Sequence, residues 1–219
     1  MAFRERCRTT RRSGRSPQWL AGRGLRRLSW GVRRTEDAVV DSHVVALEVA
    51  TQDKTQLLSN LLGLYMHDLS DIFPVKVGAD GWFRYEKLPL YWSEPETHFP
   101  FLIYLGAQLA GFALVTRGSP ATDDPEHLDI AEFFVLRGCR RTGVGRQAAS
   151  ILWNRLPGHW VVRVSEANRA GLPFWSATIG QYTRGAFSES RRSGSPHDWH
   201  VFTFASRVEP PPGTCAGED

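Results

Sequence analysis

"EFFVLRGCRRTGVGRQAASIL", residues 132–152, decides how this chain is read. It opens on an apolar run that predicts a buried strand. It closes on helical periodicity, with Val144, Ala148, Ile151 and Leu152 recurring on one face. Between the two lies a loop in which Arg137, Arg140, Arg141 and Arg146 surround Gly143 and Gly145. The first amides of a helix have no acceptor within it, and the helix dipole favours negative charge there. Glycine lets a ligand come close to the backbone. A strand, a cationic glycine turn and a helix therefore make an anion site, suited to a pyrophosphate.

Outward from this stretch, the chain reads as alternating elements. "VVALEVA" (44–50) is a β-branched strand. Residues 55–70 place Leu57, Leu58, Leu61, Leu62 and Tyr65 at helical spacing. Residues 71–98 are irregular and aromatic, with a short helix and an ordered loop. Residues 99–117 predict two strands joined near Gly106–Gln108. Strands follow at 128–136, 159–166 and 198–206, with helices at 144–156 and 168–182. Pro173 cannot donate inside a helix, so the last helix is expected to start near Leu172 with the proline in its first turn. The order β-α-(α)-β-β-β-α-β-α-β predicts an α+β, α/β/α-layered fold: a mixed, mostly antiparallel sheet with helices on both faces.

The 219 residues suffice for a core that needs no staples, and 42% are apolar. No window holds 18 uninterrupted apolar residues, so no membrane-spanning helix is expected. Cys7, Cys139 and Cys215 are scattered and odd in number, which argues for a reducing, cytoplasmic setting without disulfides. Five of the histidines, His67, His98, His159, His197 and His200, show no metal-ligand spacing. The net charge of +4 is uneven: residues 1–35 hold eleven arginines and one acid, so the remainder carries −6. We read residues 1–36 as an arginine-rich disordered extension, 37–206 as the domain and 207–219 as a Pro/Gly tail. The extension has no recognition motif, so nucleic acid is not the expected partner.

Three phosphate-binding patterns compete for the glycine turn. A P-loop needs Lys and Ser/Thr after its second glycine; here Val144 and Gly145 follow Gly143, which excludes it. The dinucleotide pattern G-x-G-x-x-A is met by Gly143, Gly145 and Ala148, with Glu166 about 20 residues on. Residues 136–142 separate that pattern from its strand, however, and too little chain follows for the second half of a doubly wound sheet. An NAD(P)-binding protein is the alternative this match leaves. The third pattern, R-x-x-G-x-G, takes Arg140, Gly143 and Gly145. With "AEFFVLRGCRRTGVGRQAASIL" and the following "VRVSEANRAGLPFW", it resembles the GNAT N-acetyltransferase superfamily over about 44–206, closest to a bacterial branch of it.

That resemblance implies an acetyl-CoA-dependent transfer of an acetyl group to an amine of a small molecule or peptide, by a monomer or homodimer. It implies a bulged strand 130–136 that splays from its neighbour, so that Phe134 and Val135 line the acyl-CoA arm and an amide near Val135 polarises the thioester. Amides from Thr142 through Gly143, Val144, Gly145 and Arg146, helped by Arg140 and Arg141, would hold the diphosphate. Glu132 is the candidate base, with Asp129 a lesser one. Trp175 stands where relatives carry a tyrosine acid, so it is a cofactor-packing candidate and Tyr182 is the nearest tyrosine. Asn168 either meets the CoA arm or caps a helix. Without a tyrosine acid, a non-catalytic acyl-CoA-binding module is the other reading. The acceptor pocket is expected in 66–98, where Tyr85, Tyr91, Trp82 and Trp92 accompany Asp68, Glu86, Glu94 and Glu96, a set suited to a cationic amine.

Overall fold

A computed structural model describes residues 43–206; the readings of 1–36 and 207–219 lie outside the described residues. β1 (Val45–Val49) leads into α1 (Thr55–Leu69) and, after an irregular stretch, α2 (Leu90–Ser93). β2 (His98–Leu105), β3 (Gln108–Arg117) and β4 (Leu128–Val135) form a meander. α3 (Val144–Arg155), β5 (His159–Ser165), α4 (Gly171–Thr183), β6 (Ser188–Arg192) and β7 (Trp199–Ala205) complete it. The seven strands lie in the order β1-β2-β3-β4-β5-β7-β6. Every pairing is antiparallel except β4 with β5. This mixed, mostly antiparallel sheet is the expected one, and it is not the doubly wound sheet a dinucleotide fold requires.

Alternation along the strands separates two cores. On one face, Leu58, Leu61 and Leu62 of α1 and Tyr91 of α2 pack on Leu102, Phe112, Leu114 and Phe134. On the other, Leu152 and Trp153 of α3 and Trp175 and Ile179 of α4 pack on Val115, Trp160, Val162 and Phe202. Each fully buried leucine contributes about 1.5–3 kcal/mol. α4 starts at Gly171, so Pro173 falls in its first turn as expected. β6 was not expected: "SESRR" is exposed throughout and has no apolar residue to show a period.

β4 carries a bulge. Leu114 faces Glu132 and Val115 faces Ile130, leaving Ala131 as the extra residue. Parity reverses there. Leu128 and Ile130 face α3 and α4, and so does Phe133, whereas Phe134 faces α1. Glu132 thereby joins Phe134 on the α1 side, where Tyr65 and Tyr85 reach it.

Candidate active site

The glycine turn is built as an amide cradle. After β4 a short 3-10 turn spans Arg137–Cys139, and Thr142 Oγ1 donates to Cys139 O at 2.8 Å. Arg141 and Gly143 both have left-handed backbones, φ 64° and 90°, which bend the chain into α3. The first helical bond is Gln147 N–H to Gly143 O at 3.0 Å. The amides from Arg141 to Arg146 have no acceptor among the described residues. Gly145 has a second reason to be glycine: an added Cβ would sit 3.2 Å from Cζ of Phe174 on α4.

The arginines divide. Arg140 does not turn its side chain to the cradle. Its Nε donates to Val135 O at 2.7 Å, its Nη2 donates to Asp68 at 2.6 Å, and its guanidinium lies 5.5 Å over the Phe134 ring. Arg137 donates to the same carboxylate at 2.7 Å. Burial pushes Asp68 up, but the hydrogen bonds and charges of Arg137 and Arg140 outweigh it and hold the carboxyl below its usual range. Asp68 is therefore a tie between α1 and the turn, not an acceptor-pocket acid. Arg146 reaches Gln181 on α4 at 3.2 Å, and Arg141 is exposed beside the cradle.

Next to the cradle the sheet opens. β4 and β5 pair only at Leu128–Trp160 and Asp129–Val161. Beyond that, the β5-facing edge of β4 has no strand partner. Leu136 N–H donates to Ala110 O at 2.8 Å on the β3 side, so alternation turns the Val135 amide toward the open edge. Where pairing stops, Arg163 of β5 forks onto Asp129 of β4 at 2.9 and 3.0 Å. Asp129 is fully buried and also accepts from Ser119. It is a structural anchor, which removes it as a base.

On the α1 side of this opening lies a cluster of half-buried polar side chains. The Tyr65 and Tyr85 hydroxyls lie close enough to the Glu132 carboxylate to favour its charged form. Burial raises the Glu132 carboxyl above its usual range; those hydroxyls and the charges of Arg163 and Lys87 only partly oppose it. Burial, with the Glu132 charge adding to it, likewise keeps the Tyr65, Tyr85 and Tyr91 hydroxyls protonated. Arg163 lies over the Trp199 ring at 5.9 Å, and Trp199 stacks on Phe73 at 5.8 Å.

The expectation for 66–98 is thus half met. Tyr85 lies by Glu132, but Tyr91 is buried in the core, Glu86 and Glu96 are exposed, and Glu94 lies 3.5 Å from His98. Trp92 donates to Ala50 O, and Trp82 is exposed over Gly63. Tyr65, Arg163 and Trp199 escaped the sequence reading. An arginine inside the apolar run "HWVVRVS" was the signal available for one of them, since a charge in a buried strand needs a partner.

The structure does not bring Tyr182 to this site. Its hydroxyl donates to Asn154 at 2.6 Å and its ring packs on Trp153 at 4.8 Å, on the α3–α4 face and roughly 16 Å along α4 from Gly171. That removes it as the acid. A surface cleft of about 380 Å³ between α3 and α4 runs from Arg146 to Tyr182 on the same face. Trp175 is a core residue against Phe133 at 5.0 Å. Asn168 caps: its Oδ1 accepts from Gly171 N–H at 2.8 Å. Cys139 is buried among Val45, Ile103 and Ala148.

The acetyltransferase (GNAT) family model matches residues 64–180. The fold is similar to that of an acetyltransferase from Thermus thermophilus, at 17% identity and TM-score 0.51 over 74% of this chain and 97% of that one. An aminoglycoside acetyltransferase in complex with coenzyme A gives 12% and 0.54 over 74% and 95%. Spermidine N-acetyltransferase from Vibrio cholerae, in complex with CoA and spermine, gives 10% and 0.50 over 74% and 95%. At these identities the likeness is one of fold. Compared by sequence with curated proteins, the chain matches none.

Proposed function

Because this chain belongs to the acetyltransferase (GNAT) family, with acetyl-CoA as co-substrate, we propose that it acetylates a primary amine by direct attack within a ternary complex. The observation that carries the reading is Glu132: a half-buried carboxylate with a raised pKa, beside the unpaired edge of a bulged strand. The free amides from Arg141 to Arg146 suit the diphosphate, with Arg141 and Arg146 adding charge. The open-edge amide of Val135 suits the thioester oxygen.

An amine attacks only when neutral. Glu132 takes one proton from the incoming ammonium, and burial makes it a stronger base than an exposed glutamate. Tyr65 and Tyr85 stand close to its carboxylate. The nitrogen bonds to the acetyl carbon, the carbon–sulfur bond breaks, and the second nitrogen proton goes with the thiol. A thiolate of intrinsic pKa near 8.5 leaves without a dedicated acid. Holding both reactants side by side supplies on the order of several kcal/mol. One structural neighbour was crystallised with spermine, which supports an amine acceptor. Scattered cysteines support a reducing compartment.

The test is thiol release from acetyl-CoA across an amine panel, alongside CoA binding by calorimetry. Turnover that falls about 100-fold in Glu132→Gln with CoA affinity intact supports the reading. CoA binding without turnover on any amine would favour a non-catalytic module, and absence of CoA binding sinks both.

A further inference from the structure

Two opposite charges, Glu132 and Arg163, stand on the α1 side of the sheet and do not meet. Among the described residues no cation lies within 4.0 Å of the Glu132 carboxylate, although Arg163 and Lys87 both act on it through space. Arg163 spends Nε and Nη2 on Asp129, and its Nη1 has no acceptor among the described residues. It faces the same side of the sheet as Glu132, across the gap left by the β4–β5 splay.

Arg163 is also held still. A buried carboxylate fixes its fork, and Trp199, backed by Phe73, supports the guanidinium plane. A guanidinium immobilised in this way loses little further freedom when it binds an anion. It remains reachable, with its side chain 24% exposed. Glu132 and the unshared Arg163 nitrogen, opposite in charge and on one side of the sheet, complement a molecule that carries both an ammonium and a carboxylate. A polycation would instead meet Arg163 and Lys87 as like charges.

Resting on the acetyl-transfer reading above, we propose that the acceptor is an amino acid or a compound with the same head group, its ammonium at Glu132 and its carboxylate on Nη1 of Arg163. Tyr65, Tyr85 and Trp199 then leave aromatic surface for its side chain. The bonds made and broken are those of the transfer already given; Arg163 binds and takes no proton.

The experiment pairs each of several L-amino acids with its decarboxylated amine, such as phenylalanine with phenethylamine and lysine with cadaverine. Thiol release gives kcat/KM for both members, and calorimetry gives CoA affinity. Wild type is expected to prefer the carboxylate-bearing member by at least about 10-fold. Arg163→Lys keeps Asp129 paired but loses the fork, and should shrink that ratio at least about 10-fold, mostly through KM. Should Arg163→Lys fail to fold, Asp129→Asn/Arg163→Gln removes both charges together and carries the same expectation. Equal use of both members by wild type, or a ratio within about twofold of wild type in a folded variant, overturns the assignment while leaving amine acetylation standing. CoA binding with no turnover on any acceptor overturns the transfer reading and this one together.

Discussion

Asp129→Asn tests the joint at which β4 and β5 part. The substitution keeps the shape of the side chain and removes its charge. Asp129 is fully buried, and two charge-assisted hydrogen bonds from Arg163 end on it, at 2.9 and 3.0 Å. Breaking one side of such a buried pair costs about 3–5 kcal/mol. The Arg163 side chain keeps 24% of its exposure, so water recovers part of the loss. The lower end, about 3 kcal/mol, is the expected value. For a chain of 219 residues, where each kcal/mol moves Tm about 2–4 °C, the midpoint should fall by about 6–12 °C. Urea denaturation with constant m and a thermal melt measure it. The double variant Asp129→Leu/Arg163→Met removes both charges and should return to within about 1 kcal/mol of wild type. A single substitution costing less than about 1 kcal/mol, or a double variant no better than the single, refutes the view that this pair holds the splay.

Three further expectations follow from the same contacts. A carboxyl raised in the folded state binds protons more tightly there than when unfolded. Glu132 therefore withdraws stability as pH climbs from the ordinary carboxylate range through its raised value. Glu132→Gln should melt higher than wild type at neutral pH and converge with it in acid; a gap independent of pH denies the burial. At Gly111 an added Cβ would lie 2.0 Å from Phe134 O, so Gly111→Ala must displace β3 from β4 and should cost about 1–3 kcal/mol or more by denaturant titration, and a loss below about 0.5 kcal/mol would contradict the packing. Asp68→Asn releases Arg137 and Arg140 toward the cradle; stability should change by no more than about 1 kcal/mol, while calorimetric CoA affinity rises several-fold at low salt. Unchanged affinity would show that those arginines do not reach the ligand.

Much of the fold was written in local pattern. Apolar runs marked β2 to β5, the leucine spacing marked α1, and the Arg140–Gly145 turn marked the cradle. β6 left no trace because an edge strand needs no apolar face: its five residues are exposed and it is held by backbone pairing with β7. Glu132 was legible because it interrupts an apolar strand beside the turn. Of its partners only Tyr85 was, since Tyr65 and Arg163 come from separate elements that meet only in the folded sheet. Arg140 misled for the same reason: the carboxylate that claims it belongs to α1. Tyr182 misled because counting along the chain ignores which face of α4 a residue occupies.

The extra residue at Ala131 makes the path of β4 as consequential as its composition. Straightening β4 without losing a residue would carry the alternation of Leu128 and Ile130 through the strand and turn Glu132 from the tyrosines toward the side that faces α3 and α4. Every residue of the motif would still be present, and a sequence comparison would still score it. Homologous chains in which β4 keeps every residue but lacks the bulge should therefore differ in whether they have a base at all, however alike they look elsewhere.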